Sequence, residues 1–377
     1  MMKKVKAKIL DSLKYIGIAC LSLASLSPAS AQSSFKESNN HFARYTHDGK
    51  LNHLVEAKKH IDKTYENKRD ARSSRVNILR AMIYSSMAYA DSTRTVKYEE
   101  DPIDVTLASV KKIRDRDKSD MQGELSFVFQ NLASAHVYAA EKAMEKEEFE
   151  SAYMHFKEVN KINSDDVNIL NNLALLAYQA KKYEEAERYF NSILRKGDYD
   201  VDHYLQLAKV YSHLGDSESE LKTLEKAERE FPGNKEVVLK LVNIYRNDEN
   251  YKALSGIITK ALSMEPESTS LNYMAGFAFE NLNNLPEAIR YYKRVVQLEE
   301  NNYEGNLALG LIKLKTYLND SSDENAQEEA QNYLLRANEI KPYATNALQS
   351  LAVLYENTGD ESQLDRVNLL LNQIESK

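Results

Sequence analysis

The sequence predicts an all-α protein, an α-solenoid of stacked antiparallel helix pairs, and three observations predict it. First, apolar and small residues recur at a fixed step of 34: Leu173, Leu207, Leu241, Ala275 and Leu309 form one register, and Ala152, Ala186, Glu220, Leu254 and Ala288 another. Ala174, Ala208, Val242, Gly276 and Gly310 keep the same beat, as do Ala177, Tyr211, Tyr245 and Phe279, and Phe190, Leu224, Ile258 and Tyr292. Second, within one step the apolar positions follow helical periodicity twice, Leu173, Ala177 and Ala180 on a first helix and Tyr183, Ala186, Phe190 and Ile193 on a second. Third, no run alternates at period two long enough to make a strand.

Each helix pair leaves an apolar face uncovered, so neighbouring pairs must stack. Small residues at the Ala174 register let backbones approach, and large ones at the Phe190 register fill the space to the next pair. The turn within a pair is short and polar. In Leu214-Gly215-Asp216-Ser217 the glycine can end one helix while Asp or Ser caps the next. Pro232 and Pro266, one step apart, fall where second helices should stop, and Pro342 rejoins the series after two steps plus eight residues.

From the N-terminus, Lys3, Lys4, Lys6 and Lys8 precede an apolar stretch from Tyr15 to Leu26, with Pro28 and then Ala29-Ser30-Ala31 behind it. That order reads as a secretory signal peptide over residues 1–31, cut before Gln32, which places the chain in the periplasm or cell envelope. Twelve residues of helix reach only ~18 Å against a hydrocarbon core of roughly 30 Å, which argues against a permanent span. Cys20 offers the alternative of a lipid anchor, although Gly17 stands where that motif expects a large aliphatic residue. Residues 32–48, poor in apolar side chains, read as a flexible leader. Over 49–132, helical spacing runs from Leu51 to Tyr65, Val76 to Tyr89, Val105 to Ile113 and Leu125 to Met144, with a break at Asp101-Pro102. These are two divergent helix pairs of the same array or a separate helical cap.

The signal segment carries five Lys and one Asp, so its removal takes the net charge from −7 to −7 − 4 = −11. An acidic chain of this kind is a poor partner for nucleic acid. The single cysteine leaves with the signal, so disulfide and thiol chemistry are excluded from the mature chain. No phosphate-binding glycine loop, nucleophile elbow or paired-His metalloprotease helix occurs. His41, His47, His53 and His60 cluster in sequence, with Glu56 as a conceivable carboxylate partner. His53 and His60 are nonetheless about 10.5 Å apart along a helix, too far to share an ion, so the group reads as exposed polar histidines and no metal site is expected. Asp320, Asp323 and Glu324 lack the glycine and acidic spacing of a calcium loop and read as solvated charge.

With these registers in place, the segments "NLALLAYQAKKYEEAERYF" from Asn172, "YLQLAKVYSHLGD" from Tyr204 and "NLPEAIRYYKRVV" from Asn284 resemble the tetratricopeptide repeat family. Cutting at Ala133, Val167, Val201, Lys235, Thr269, Tyr303 and Thr345 gives seven units over 133–377, and the resemblance implies a right-handed superhelix. The chain departs from the pattern in having no Trp, in Glu220 and Leu254 at a small-residue position, and in Lys313 at an aromatic one. Eight extra residues in the sixth unit, within "YLNDSSDENAQ", read as an extended surface loop.

The resemblance further implies that the first-helix face lines a concave, partner-binding surface. On it would lie Asn168, Asn171, Asn172, Tyr178, Gln179, Lys209, His213, Asn243, Arg246, Asn247, Tyr273, Phe277, Glu280 and Asn281. Asn can donate to and accept from a peptide backbone, and Tyr273 and Phe277, four apart, would form one apolar ledge. Such a surface suits an extended peptide or a partner's helix. The Lys/Asn/Arg clamp with which some members grip a terminal carboxylate is absent from the sequence. The expectation is a non-catalytic scaffold or adaptor of the bacterial cell envelope, without cofactor, that binds a protein or peptide partner. The other reading is a glycan- or peptide-binding protein of envelope nutrient uptake. The Ala-Gln cleavage junction and the Asn- and Lys-rich array also resemble exported repeat proteins of Bacteroidetes-type bacteria.

Overall fold

A computed structural model describes residues 31–164 and 166–375, and all but the last residue of the assigned export signal lies outside them. The described residues are helical, with no strand among them. They fall into two compact units divided between Asp216 and Ser217. The first contains α1 (Ala31–Asp48), α2 (Leu51–Tyr65), α3 (Ser74–Ala90), α4 (Pro102–Lys111), the single turn α5 (Asp115–Lys118), α6 (Gln122–Glu145), α7 (Phe149–Ile162), α8 (Val167–Gln179), α9 (Tyr183–Lys196) and α10 (Val201–Leu214). The second contains α11 (Ser217–Glu230), α12 (Lys235–Asn247), α13 (Tyr251–Met264), α14 (Thr269–Asn281), α15 (Leu285–Leu298), α16 (Tyr303–Asn319), α17 (Glu324–Ile340), α18 (Thr345–Thr358) and α19 (Glu361–Glu375).

The 34-residue step sets the helix ends as well as the core. Asp166, Asp200, Asn234, Ser268 and Asn302 stand one step apart, and each accepts a hydrogen bond at its side chain from a backbone N–H of the first turn that follows. Such a cap satisfies a donor that the helix itself leaves orphaned, for about 1 kcal/mol. Within the pairs, Glu147, Lys181, Gly215, Glu249 and Asn283 keep the same step, and all are left-handed, with φ between 54° and 73°. After each of them the next residue's N–H reaches back five positions, as Lys182 does to the Ala177 carbonyl at 2.8 Å and Asn284 to Phe279 at 2.8 Å. That bond closes the helix end and reverses the chain in two residues.

The core follows from these reversals. In the first unit, Leu173, Ala174 and Ala177 of α8 and Ala186, Phe190 and Ile193 of α9 are buried with Ala152 and Phe156 of α7 in one cluster. Full burial of a side chain such as Phe190 is worth roughly 1.5–3 kcal/mol. In the second unit, Tyr292 of α15 is buried with Ala288, Leu309 and Ile312. Glycines at the Ala174 register are needed for contact: a Cβ on Gly276 would meet the Tyr292 ring, and one on Gly310 would meet Leu334 at 2.7 Å.

Three expectations are corrected. Residues 32–48 are not a flexible leader but belong to α1. Its stripe of Phe35, Ser38, Phe42 and Tyr45 packs on α2, with the Ser38 hydroxyl donating to the Ala57 carbonyl at 2.8 Å. The added residues of the sixth unit do not form an extended loop. They lengthen both helices to 17 residues and leave a four-residue link, because Leu314, Tyr317 and Ala326 bury the extra turns. The boundary set at Ala133 falls in the middle of α6, which begins at Gln122.

The divergent N-terminal part shares one device with the regular array. Asn77 of α3 is fully buried, and its amide donates to the carbonyls of Ala71 and Ser73 at 3.0 and 2.9 Å. Asn272 does the same to Pro266 and Ser268, and Asn306, one step on, to Glu300 and Asn302. In all three the first turn of a helix is fastened to the link that precedes it, and the carbonyls of Ser73, Ser268 and Asn302 accept from the same asparagine's backbone N–H as well.

Candidate partner-binding surface

The residues expected on the first-helix face fall into three groups. Asn168 and Gln179 of α8, Lys209 and His213 of α10, Asn243, Arg246 and Asn247 of α12, and Phe277 and Asn281 of α14 are exposed. Asn171 and Tyr178 are half-buried. Asn172 is buried among core residues and does not reach solvent as a contact group. Tyr273 and Glu280 are also half-buried and engaged within the fold. The Tyr273 ring lies 5.5 Å from that of Tyr292, and Glu280 accepts the Tyr292 hydroxyl at 2.8 Å.

In the first unit three of these residues converge. Tyr178 of α8 meets His213 of α10 edge-on at 5.2 Å, its hydroxyl 3.4 Å from His213 Nε2. Lys209 Nζ sits 4.9 Å above the Tyr178 ring, and Tyr183 at the start of α9 packs 4.9 Å from His213. His213 Nδ1 is in turn 2.9 Å from the Lys209 carbonyl one turn earlier, which fixes the ring. The result is an aromatic and cationic patch bridging two successive repeats, able to stack on a side chain and to offer charge to an acidic one.

In the second unit the expected Tyr273–Phe277 ledge is divided. Tyr273 turns into the core against Tyr292, and burial raises its phenol above the ordinary value. Phe277 remains 38% exposed, braced edge-on by Tyr251 of α13 at 5.7 Å. Asn281 spends its amide on the Phe277 carbonyl at 2.9 Å, and Arg246 donates to the Asn247 side chain at 3.1 Å. Other tyrosines are committed to the fold: Tyr204 and Tyr292 are buried, and Tyr211 and Tyr245 each donate to a glutamate of the preceding helix, Glu187 at 3.2 Å and Glu225 at 2.8 Å.

Two histidine groups were not legible from spacing. His41, His53 and His60 are half-buried rather than exposed, and His41 of α1 stacks on His60 of α2 with ring centroids 5.6 Å apart. His136 of α6 and His155 of α7 pair through their Nδ1 atoms at 3.1 Å. Burial holds both below the ordinary histidine range, with mutual repulsion adding to the effect at His136. Each group joins neighbouring helices, so no pattern along one helix reveals it.

Residues 143–210 and 269–302 match family models described as tetratricopeptide repeat. The chain carries tetratricopeptide repeats over these segments. Among curated proteins it is 28% identical to the TPR repeat-containing protein YpiA of Bacillus subtilis (strain 168) over 113 residues, 30% of this chain and 27% of that one. It is 23% identical over 230 residues to the human Protein O-mannosyl-transferase TMTC3, covering 56% of this chain and 24% of that protein. The chain thus spans about a quarter of the length of these relatives. Among solved structures, MamA superposes with a TM-score of 0.38 at 18% identity, over 45% of this chain and 93% of that one. YrrB, described as a TPR protein with an unusual peptide-binding site, gives 0.37 at 15%, over 50% and 94%. Among the described residues no helix is long and apolar enough to cross a membrane.

Proposed function

We propose that this protein is a non-catalytic scaffold of the bacterial cell envelope that holds a protein or peptide partner on its first-helix face. The observation that carries the reading is the Tyr178–Lys209–His213 patch, where aromatic and cationic side chains from two repeats meet without entering the core. Stacked repeats produce extended surfaces of this kind, and rigid aromatics beside polar groups are where binding energy concentrates. Lys209 and His213 are exposed, so replacing both by Ala should leave stability within about 0.5 kcal/mol. Cross-linked partner recovered from envelope fractions should fall at least ~10-fold in that variant. An unchanged yield from the folded variant removes this patch from the binding surface.

Export through residues 1–31 belongs to the same proposal. The packing of Phe35, Ser38 and Phe42 against α2 supports it, since a cut before Gln32 leaves these contacts intact. Terminal sequencing of the envelope-fraction protein should begin at Gln32. An intact Met1 or a lipid on Cys20 would overturn that assignment.

A further inference from the structure

The N-terminal helix hairpin brings two imidazoles and a carboxylate to one point. His41 of α1 and Glu56 and His60 of α2 each place a ligand-capable atom within 4.8 Å of the other two. Glu56 and His60 are four residues apart and so share a face of α2, while His41 comes from the facing helix. Gly49, left-handed at φ 69°, makes the two-residue reversal that sets α1 against α2. The Ser38–Ala57 hydrogen bond and the buried Phe42, Leu54, Ala57 and Ile61 hold the pair from behind.

From this juxtaposition we propose that His41, Glu56 and His60 bind a divalent transition-metal ion of the zinc type, which clamps α1 to α2. Two imidazoles and one carboxylate are a donor set that zinc takes in tetrahedral geometry, with the fourth position left to water. Bonds of ~2.0–2.1 Å need donors roughly 3.4 Å apart, so each donor moves by less than about 1 Å to close the site. A second observation points to a ligand. His41 Nδ1 is buried and has no hydrogen-bond partner. A buried ring nitrogen left so is costly, and a metal bond to this imidazole would repay that cost or free the ring to turn toward a donor.

The surroundings allow an ion to enter. The Glu56 side chain is 43% exposed, and Lys59 beside it is a largely solvated contact at 3.6 Å. His53 stands beside the triad, its ring 6.2 Å from His41 and its Nε2 3.3 Å from Asp48 Oδ2, so it borders the site without being one of its ligands. An ion here would tie α1 to α2 and add its binding free energy to the packing of that pair.

The test uses the purified, untagged protein after treatment with chelator, titrated with Zn²⁺ by calorimetry and with Co²⁺ by visible absorption. One equivalent of Zn²⁺ per chain, the intense absorption of four-coordinate Co²⁺, and a Tm that rises with Zn²⁺ are expected. His41→Gln and His60→Gln should each weaken Zn²⁺ binding by at least ~100-fold. His47→Gln, exposed on the same helix as His41, should leave it unchanged. Helical circular dichroism of each metal-free variant separates ligand loss from unfolding, and Glu56→Gln, at a part-exposed position, supplies the comparison if a histidine variant does not fold. Absence of saturable one-equivalent binding in the wild type, or undiminished binding in folded Glu56→Gln and His60→Gln, overturns the proposal.

Discussion

Tyr292 lies so close to Gly276 that a Cβ on the glycine would stand 2.6 Å from its Cε1. The ring cannot retreat: it is 1% exposed and its hydroxyl donates to Glu280. In an exposed helix, Gly→Ala would gain about 1 kcal/mol from backbone propensity. Here overpacking of ~1–3 kcal/mol opposes that gain, so Gly276→Ala should lower stability by up to about 2 kcal/mol. In a Tyr292→Leu background the same change should be neutral or stabilising. Denaturant unfolding of the four proteins closes the cycle, and an equal cost in both backgrounds would sink the steric account.

The left-handed turns supply a prediction of opposite sign. Lys181 and Glu249 hold φ of 60° and 54° at the positions where Gly215 sits at 73°. An L-residue is strained there by about 1 kcal/mol and glycine is not. Lys181→Gly and Glu249→Gly should therefore each stabilise by roughly 0.5–1 kcal/mol, and Gly215→Ala should destabilise by about as much. Thermal melts of the three variants decide it. A drop in Tm for both glycine variants would show that unfolded-chain entropy outweighs the strain.

These turns also show where the sequence was readable. Leu173 and its successors repeat in apolar character because every repeat buries the same kind of side chain, and the helices that begin at Val167, Val201, Lys235, Thr269 and Tyr303 follow from that register. The turn register repeats only in conformation, as Glu, Lys, Gly, Glu and Asn, and so escapes a search for like residues. The caps vary likewise among Asp, Asn and Ser. α1 was hidden because four contact residues, Phe35, Ser38, Phe42 and Tyr45, are spread through a polar segment whose helicity depends on α2. The patch at Tyr178 and the histidine pairs exist only once neighbouring helices meet. Of the expected surface, Tyr273 and Asn172 were misjudged because helical spacing places a residue on a face without saying how deep the next repeat will cover it.

The His136–His155 pair makes stability sensitive to acid. Both rings titrate below their ordinary value of 6.5 in the folded protein, so the unfolded chain binds more protons as pH falls. Their contribution is intact above pH 6.5 and is lost progressively from there down through the lowered folded values. With Nδ1 atoms 3.1 Å apart, one ring can donate to the other only while at least one nitrogen is unprotonated. The melting temperature should fall between pH 7 and 5, and the fall should be shallower in His136→Gln/His155→Gln. Parallel pH profiles for the two proteins would mean that other groups carry the acid response.

The divided ledge on α14 gives the sharpest separation between core and contact surface. Tyr273 packs on Tyr292, so Tyr273→Ala should cost about 2–3 kcal/mol of stability by opening space beside a buried ring. Phe277 keeps 38% of its surface in solvent and touches Tyr251 only edge-on, so Phe277→Ala should cost less than about 1 kcal/mol. If the first-helix face holds the partner, the order reverses in binding. Phe277→Ala should then weaken capture by about 1–2 kcal/mol, whereas Tyr273→Ala should act mainly through the folded fraction. Melting temperature and cross-linked partner yield, measured on the two single variants and normalised to folded protein, read out both orders. A folded Phe277→Ala protein with full partner yield would assign the exposed ring to solvent and take α14 out of the binding surface.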